Sequence, residues 1–209
     1  TNLGGEVTYG KVISAQKTEN GFEVGTEDGE KYEGKNLIIA SGAAHRHLGI
    51  EREQELIGRG VSYCAVCDGP FFKEKTAAVV GGGSAALQDA LYLAGICSKV
   101  YLIHRRDTFR AEKSLIDQVM AAKNIECVME SRVTALIGEK KLTELEVTNL
   151  AGEKRTLLID GLFVAIGMEP HNEVFRDLVD LDEAGYVIAG ENCKTRTPGV
   201  YAAGDCRTK

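Results

Sequence analysis

The chain has 209 residues, with 25 Lys and Arg against 31 Asp and Glu for a formal charge of −6, and it is 44% hydrophobic and 27% charged. That is the composition of a globular chain able to bury one large core or two small ones, and its acidic balance argues against a nucleic-acid partner, which needs a basic surplus to neutralise phosphate. No run approaches the roughly 20 apolar residues of a membrane helix and no apolar secretory stretch opens the chain, so the expected setting is the cytoplasm, away from membranes.

In chain order, residues 6–18, 21–26 and 31–35 alternate apolar and polar positions around Asn20-Gly21 and Asp28-Gly29, which predicts a small antiparallel meander. Residues 37–40 read as a short buried strand ending in a Ser41-Gly42 turn, and residues 43–60 are polar with no clear element. Residues 76–80 form a continuous apolar run of the kind buried in parallel sheets, followed by glycines and a helix over about 84–93. The next strand is 100–103 and the next helix 111–122, with Leu115, Ile116, Val119 and Met120 on one face. Strands follow at about 125–136, 143–149, 155–159 and 161–166. Beyond Glu169-Pro170, residues 172–181 read as a short polar helix or loop, and 186–189 and 199–204 as late strands.

Two stretches resemble each other. Gly29-Glu30-Lys31 leads to Leu37-Ile38-Ile39-Ala40-Ser41-Gly42, and Gly152-Glu153-Lys154 leads to Leu162-Phe163-Val164-Ala165-Ile166-Gly167. Self-similarity on this scale indicates two related domains. The second copy has a glycine-rich loop upstream at Gly83, and the first copy's equivalent would fall before Thr1, so the chain reads as a fragment. The expected fold is α/β, with two Rossmann-like nucleotide-binding domains in three layers, parallel sheet plus antiparallel meander. The first, incomplete domain would hold residues 1–45 and 169–209, and the second residues 46–168.

The strongest local signal is Val79-Val80-Gly81-Gly82-Gly83-Ser84-Ala85-Ala86, a G-x-G-x-x-A loop between a predicted strand and a predicted helix. The first glycine permits the tight turn, the second a close approach of pyrophosphate, and Ala86 close packing of the helix. The helix start then offers free N–H groups and a positive dipole end to phosphate. The blander reading, an ordinary glycine turn, does not account for the flanking elements. About 20 residues on, NAD sites carry a carboxylate for the ribose 2′-hydroxyl. This chain has His104-Arg105-Arg106 and then Arg110, whose guanidinium groups suit a 2′-phosphate. NADPH is therefore expected over NADH, against the plainer reading of a solvated basic turn.

Cys64-Ala65-Val66-Cys67-Asp68 is the second signal. Cysteines at this spacing can close a disulfide and reopen it by exchange, and Asp68 offers a proton donor and acceptor beside them. The competing reading is half of a zinc site. Four ligands are needed, and the chain has no second CxxC, while His45 and His47 lack a recognised ligand spacing. Cys97, Cys127, Cys193 and Cys206 read as buried or incidental thiols. Nicotinamide seldom reduces a disulfide directly, so a flavin between the two sites would complete the electron path.

At this point the chain resembles the central and C-terminal portion of the bacterial-type, low-molecular-weight thioredoxin reductases. The residues that carry the resemblance are the 37–43 stretch, Gly60 to Gly69 around the cysteine pair, Val79 to Gly83, His104-Arg105-Arg106-Asp107 with Phe109-Arg110-Ala111-Glu112, Gly161 to Gly167, and Thr197 to Asp205. The resemblance implies an NADPH- and FAD-dependent disulfide reductase, homodimeric, acting on thioredoxin or a thioredoxin-like protein disulfide. It implies that Cys67 faces the flavin, Cys64 attacks the partner disulfide and Asp68 is the acid/base. Arg105, Arg106 and Arg110, with His104 beside them, would hold the 2′-phosphate, and Gly81, Gly82, Gly83, Ser84 and Ala85 the pyrophosphate. Ile166 and Gly167 would complete that cofactor site, while Ala40, Ser41, Gly42, Gly204 and Asp205 would line the flavin. The family's N-terminal FAD loop and the helix after Gly204-Asp205 are not in this chain, so it is expected to hold little FAD alone. Two other readings stay open: a related flavin disulfide reductase or dithiol oxidase with another partner, and an NADPH-binding module without catalysis.

Overall fold

The structure is a computed structural model that describes residues 4–208. It divides into two compact units, one formed by the chain up to Ala44 and from Met168 onward, the other by His45–Gly167.

The His45–Gly167 unit is built on a five-stranded parallel sheet in the spatial order Val61–Ser62, Gly161–Val164, Thr76–Val80, Lys99–Ile103, Ile125–Val128. Its central strands are apolar throughout because both faces are covered. Ala77 and Val79 point to one side, into a core with Leu87, Ala90 and Leu93 of the Ser84–Ala94 helix and Val119 of the Lys113–Ala121 helix. Ala78 and Val80 point to the other, against Val133, Leu136, Leu145, Val147 and Leu157 of an antiparallel sheet made by Ser131–Ile137, Glu144–Asn149 and Lys154–Leu158. The period of two along each strand thus sorts side chains into two cores, giving the three layers expected. The unit's two ends meet, since the Arg46 N–H donates to the Gly167 carbonyl at 3.0 Å.

Several expected elements differ. The single strand expected over 125–136 is two, because Met129 and Glu130 turn the chain, with Glu130 in the left-handed region at φ 51°, from the parallel into the antiparallel sheet. Met120 does not join the helix's apolar face and is 67% exposed. Residues 43–60 are not featureless: Glu53–Leu56 forms a helical turn whose Leu56 closes one end of the second core.

In the other unit, Val12–Lys17, Phe22–Thr26 and Lys31–Gly34 form the antiparallel meander, starting later than the sequence pattern implied. Leu37–Ile39 pairs in parallel with Val200–Ala202. The stretch read as a polar helix or loop is a 3₁₀ turn at Glu173–Phe175, and Phe175, Leu178 and Val179 enter the core with Phe22, Ile39 and Val200. No strand forms over 186–189. Val187 makes only single bridges, to Leu181 and Arg207, from a fully buried position. Among the described residues no helix is long and apolar enough to cross a membrane.

Candidate active site

The edge strand Val61–Ser62 delivers the chain to Cys64, which takes an extended conformation and caps the short helix Ala65–Asp68. One helical turn therefore holds Cys64, Cys67 and Asp68 together. The two cysteines form a disulfide with Cα atoms 5.3 Å apart, and the Cys67 N–H points at Cys64 Sγ at 3.2 Å. Cys67 is exposed, while Cys64 and Asp68 are half-buried. The Ser62 hydroxyl donates to Asp68 Oδ2 at 2.6 Å and accepts from the Cys64 N–H at 3.1 Å. Val66, between the two cysteines in sequence, and Phe71, shortly after them, are both exposed, Phe71 to 73%.

Behind this loop lies a polar network that the sequence did not announce. Glu53, 2% exposed, accepts from the Leu48 and Gly49 N–H groups, each at 2.9 Å, and from the Tyr63 hydroxyl at 2.7 Å. Tyr63 in turn lies 2.6 Å from His47 Nδ1 and stacks on His45. Burial, then the hydrogen bond to the Glu53 carboxylate, pushes the Tyr63 phenol well above its ordinary value. Only the alternation of polar residues in 45–55 could have hinted at it, because the amide donors carry no side-chain signature.

The glycine loop starts at the carboxyl end of Thr76–Val80. Gly81 has φ 155°, and a side chain there would collide with the Ala165 carbonyl and lie 2.6 Å from Ala86 Cβ. Gly82, between the two motif glycines, has a steric reason of its own: a Cβ would collide with the His104 imidazole, so the ring occupies the space above it. Gly83 leads the Ser84–Ala94 helix, which has no side-chain cap, and Ser84 and Ala85 are exposed at its start. The first N–H groups of a helix have no intrahelical acceptor, so this end presents donors and a positive dipole to an anion.

The basic loop is tied to the glycine loop. The Arg110 N–H donates to the Gly82 carbonyl at 2.7 Å. His104, buried at the end of Lys99–Ile103, bonds through Nε2 to the Thr108 carbonyl at 3.1 Å and stacks on Phe109. Burial, and then the charges of Arg106, Arg105 and Arg110, hold its imidazole below the usual histidine range against the pull of the Thr108 carbonyl. His104 is a brace between the loops and does not point outward as a ligand would. Arg105 and Arg110 are exposed and Arg106 half-buried, and among the described residues none of the three has an ion-pair partner. Ile166 packs against the second core, and Gly167 is exposed with φ 105°.

In the other unit, Ala40, Ser41 and Gly42 follow Leu37–Ile39, and Gly204 and Asp205 follow Val200–Ala202. The strands are parallel, so both loops leave the same edge, where α/β sheets bind ligands. Gly42 and Gly204 have φ 68° and 78°, with no atom near the position of a Cβ, which leaves open backbone at this edge. Fully buried Asn172 joins the two loops, accepting from Ser41 Oγ at 2.8 Å and donating to the Cys206 carbonyl at 2.7 Å. The remaining thiols are quiet. Cys97 donates to the Phe72 carbonyl, Cys206 to Ile39 and Ala203, and burial raises the Cys97 and Cys127 thiols above their usual range.

The sequence pattern of the pyridine nucleotide-disulphide oxidoreductases matches residues 3–209. A thioredoxin reductase of Listeria innocua serovar 6a is 39% identical over 209 residues, which is 99% of this chain and 65% of that protein. A bifunctional thioredoxin reductase/thioredoxin of Mycobacterium leprae is 43% identical over 182 residues, 86% of this chain and 40% of that one. Among solved structures, Lactococcus lactis thioredoxin reductase in its FR conformation superposes with a TM-score of 0.80 at 37% identity, covering 100% of this chain and 69% of its own. The chain thus spans just under two thirds of the length of the Listeria relative.

Proposed function

The chain belongs to the pyridine nucleotide-disulphide oxidoreductase family, and from that premise we propose that it acts as an NADPH- and FAD-dependent reductase of thioredoxin. The observation that carries the reading is the single helical turn holding Cys64, Cys67 and Asp68, set in the same unit as a glycine loop braced to three unpaired arginines. The names of the relatives support thioredoxin as the partner, one of them carrying reductase and thioredoxin in a single protein. The resemblance extends the proposal to a homodimer working in the cytoplasm.

The residues present fit both cofactors. Gly81 and Gly82 shape the turn, Gly83 leaves open space beside the uncapped helix start at Ser84 and Ala85 for a pyrophosphate, and Arg105, Arg106 and Arg110 offer forked donors for a 2′-phosphate. Ile166 and Gly167 lie at the end of the adjoining strand's chain path. Ala40, Ser41, Gly42, Gly204 and Asp205 supply open backbone and a carboxylate for part of FAD. When bound, the two cofactors supply the two electrons that return the cysteine pair to thiols.

The exchange itself belongs to the chain. The reduced Cys64 thiolate attacks one sulfur of the partner disulfide, whose S–S bond breaks as the mixed disulfide forms. Asp68, one turn away, gives its proton to the departing partner thiolate. Asp68, now a carboxylate, takes the Cys67 proton as Cys67 attacks Cys64 Sγ and closes Cys64–Cys67, and passes it to the second partner sulfur as that leaves, so that two electrons and two protons have passed to the partner. The exposed Phe71 and Val66 give that partner an apolar landing surface.

The test is the visible spectrum of the purified full-length protein under argon, combined with NADPH-driven reduction of thioredoxin. A flavin band that NADPH bleaches, with turnover abolished and bleaching retained in Cys64→Ser, is the expected result. A protein that binds flavin and NADPH but reduces no thioredoxin refutes the partner, and one that binds neither refutes the reading.

A further inference from the structure

Ser62 lies at the end of the edge strand, paired in register with Phe163 of Gly161–Val164, and is 6% exposed. Its hydroxyl has one proton and two lone pairs. The proton goes to Asp68 Oδ2 at 2.6 Å rather than to the more distant Cys64 carbonyl at 3.4 Å, and one lone pair takes the Cys64 N–H at 3.1 Å, so both directions of the group are committed. The Asp68 N–H closes the loop on the Cys64 carbonyl at 3.1 Å. Among the described residues Asp68 Oδ1 has no partner, which leaves one carboxylate oxygen for proton exchange while the other is anchored.

We propose that Ser62 is a positioning residue for thiol–disulfide exchange, fixing the Asp68 carboxylate and the Cys64 backbone in one geometry through a single hydroxyl. The inference rests on the acid/base assignment of Asp68 above and adds the residue that makes that assignment sterically definite. A carboxylate on a one-turn helix swings about two side-chain torsions, and proton transfer requires it within hydrogen-bond reach of the sulfur at the moment of cleavage. A donor delivered by a sheet strand removes that swing, because the strand's register with Phe163 sets where the hydroxyl sits. A water in place of the hydroxyl would lack the strand's anchoring.

The experiment uses the flavin-loaded, full-length reductase with thioredoxin as substrate. Ser62→Ala is expected to lower kcat about tenfold while leaving KM for NADPH and the rate of flavin bleaching by NADPH unchanged. Ser62→Thr, which keeps the hydroxyl, is expected to restore kcat. The double variant Ser62→Ala/Asp68→Asn is expected to be no slower than Asp68→Asn, because Ser62 acts through Asp68. Ser62→Gly repeats the deletion, so that a packing defect peculiar to the alanine is recognised. Wild-type kcat in both deletions, failure of threonine to restore the rate, or additive losses in the double variant would each overturn the proposal. If Asp68→Asn itself exchanges at the wild-type rate, the acid/base assignment falls and the proposal with it. Normal Ser62→Ala beside a crippled Asp68→Asn sinks the proposal alone.

Discussion

Replacing Glu53 by alanine should be among the most destabilising single changes in the His45–Gly167 unit. The carboxylate is almost wholly buried and accepts three hydrogen bonds, from the Leu48 and Gly49 amides and the Tyr63 hydroxyl, with His47 Nδ1 a further 3.9 Å away. Alanine removes every acceptor at once. The Tyr63 hydroxyl can turn toward His47, 2.6 Å away, and the exposed Gly49 amide can turn to water, whereas the Leu48 amide is half-buried. With a stranded buried donor costing about 1–3 kcal/mol and an exposed one little, the expected loss is about 2–3 kcal/mol. Glu53→Gln keeps one carbonyl oxygen and turns an amide N–H₂ against one donor, for about 1–2 kcal/mol. The assay is urea unfolding at pH 7 followed by far-ultraviolet circular dichroism, since the chain has no Trp for fluorescence. An alkaline arm reads the same network. The folded state raises the Tyr63 phenol above its ordinary 10.0, first through burial and then through Glu53. The unfolded chain therefore loses that proton first, and stability is present below pH 10 and drains as pH rises beyond it, in Tyr63→Phe less steeply. A Glu53→Ala protein within 0.5 kcal/mol of the parent would refute the reasoning, since it would mean that water or backbone movement satisfies these donors freely (the usual spread for neutral surface changes is about that size).

Gly81→Ala should abolish NADPH binding, because its methyl would collide with the Ala165 backbone carbonyl at a φ of 155°; a KM for NADPH within twofold of the parent would contradict this. Arg105→Ala, Arg106→Ala and Arg110→Ala should each raise KM for NADPH about tenfold while hardly changing that for NADH, as loss of a charge-assisted bond to a 2′-phosphate predicts. Equal effects on both nucleotides would place these arginines elsewhere. Phe71→Ala should raise KM for thioredoxin several-fold without slowing flavin bleaching, given its exposure shortly after Cys67 in the chain. Burial and the three arginines lower the His104 pKa from 6.5, so the neutral ring's contribution is present above that pH and lost as pH falls through the folded value. His104→Gln should flatten the fall in unfolding free energy below pH 6.5, and an unchanged slope would count against the brace.

What could be read from the sequence was whatever local sterics or periodicity impose. The parallel strands show as apolar runs because Thr76–Val80 and Lys99–Ile103 are buried on both faces. Gly81 is legible because its turn admits no side chain. The cysteine pair is legible because its spacing matches one helical turn. Elsewhere the decisive partner is remote or has no side chain of its own. Glu53 reads as one more acid in polar text until two loop amides and Tyr63 close on it. Gly82 reads as the free position between two motif glycines until the His104 ring is seen over it. Phe175, Leu178 and Val179 are spaced among charges, and only the packing of Phe22, Ile39 and Val200 around them makes that segment core. Met120 fails the opposite way: its helical position suits the apolar face, yet it packs in neither core of its unit and remains in solvent.

The Arg46–Gly167 hydrogen bond has a topological consequence. The chain enters the second unit at His45 and leaves it at Gly167, and those two points are held side by side. A module whose entrance and exit adjoin is an insertion: it can be excised, and the host reconnected by a short splice, without stretching either backbone. It can also be circularly permuted by joining its ends and reopening an exposed turn such as that at Gly152, which has φ 81° and empty space around it. The redox helix and the glycine loop both lie inside this excisable piece. The cysteine pair and the glycine loop therefore travel as one cassette, able to change hosts without losing their mutual geometry.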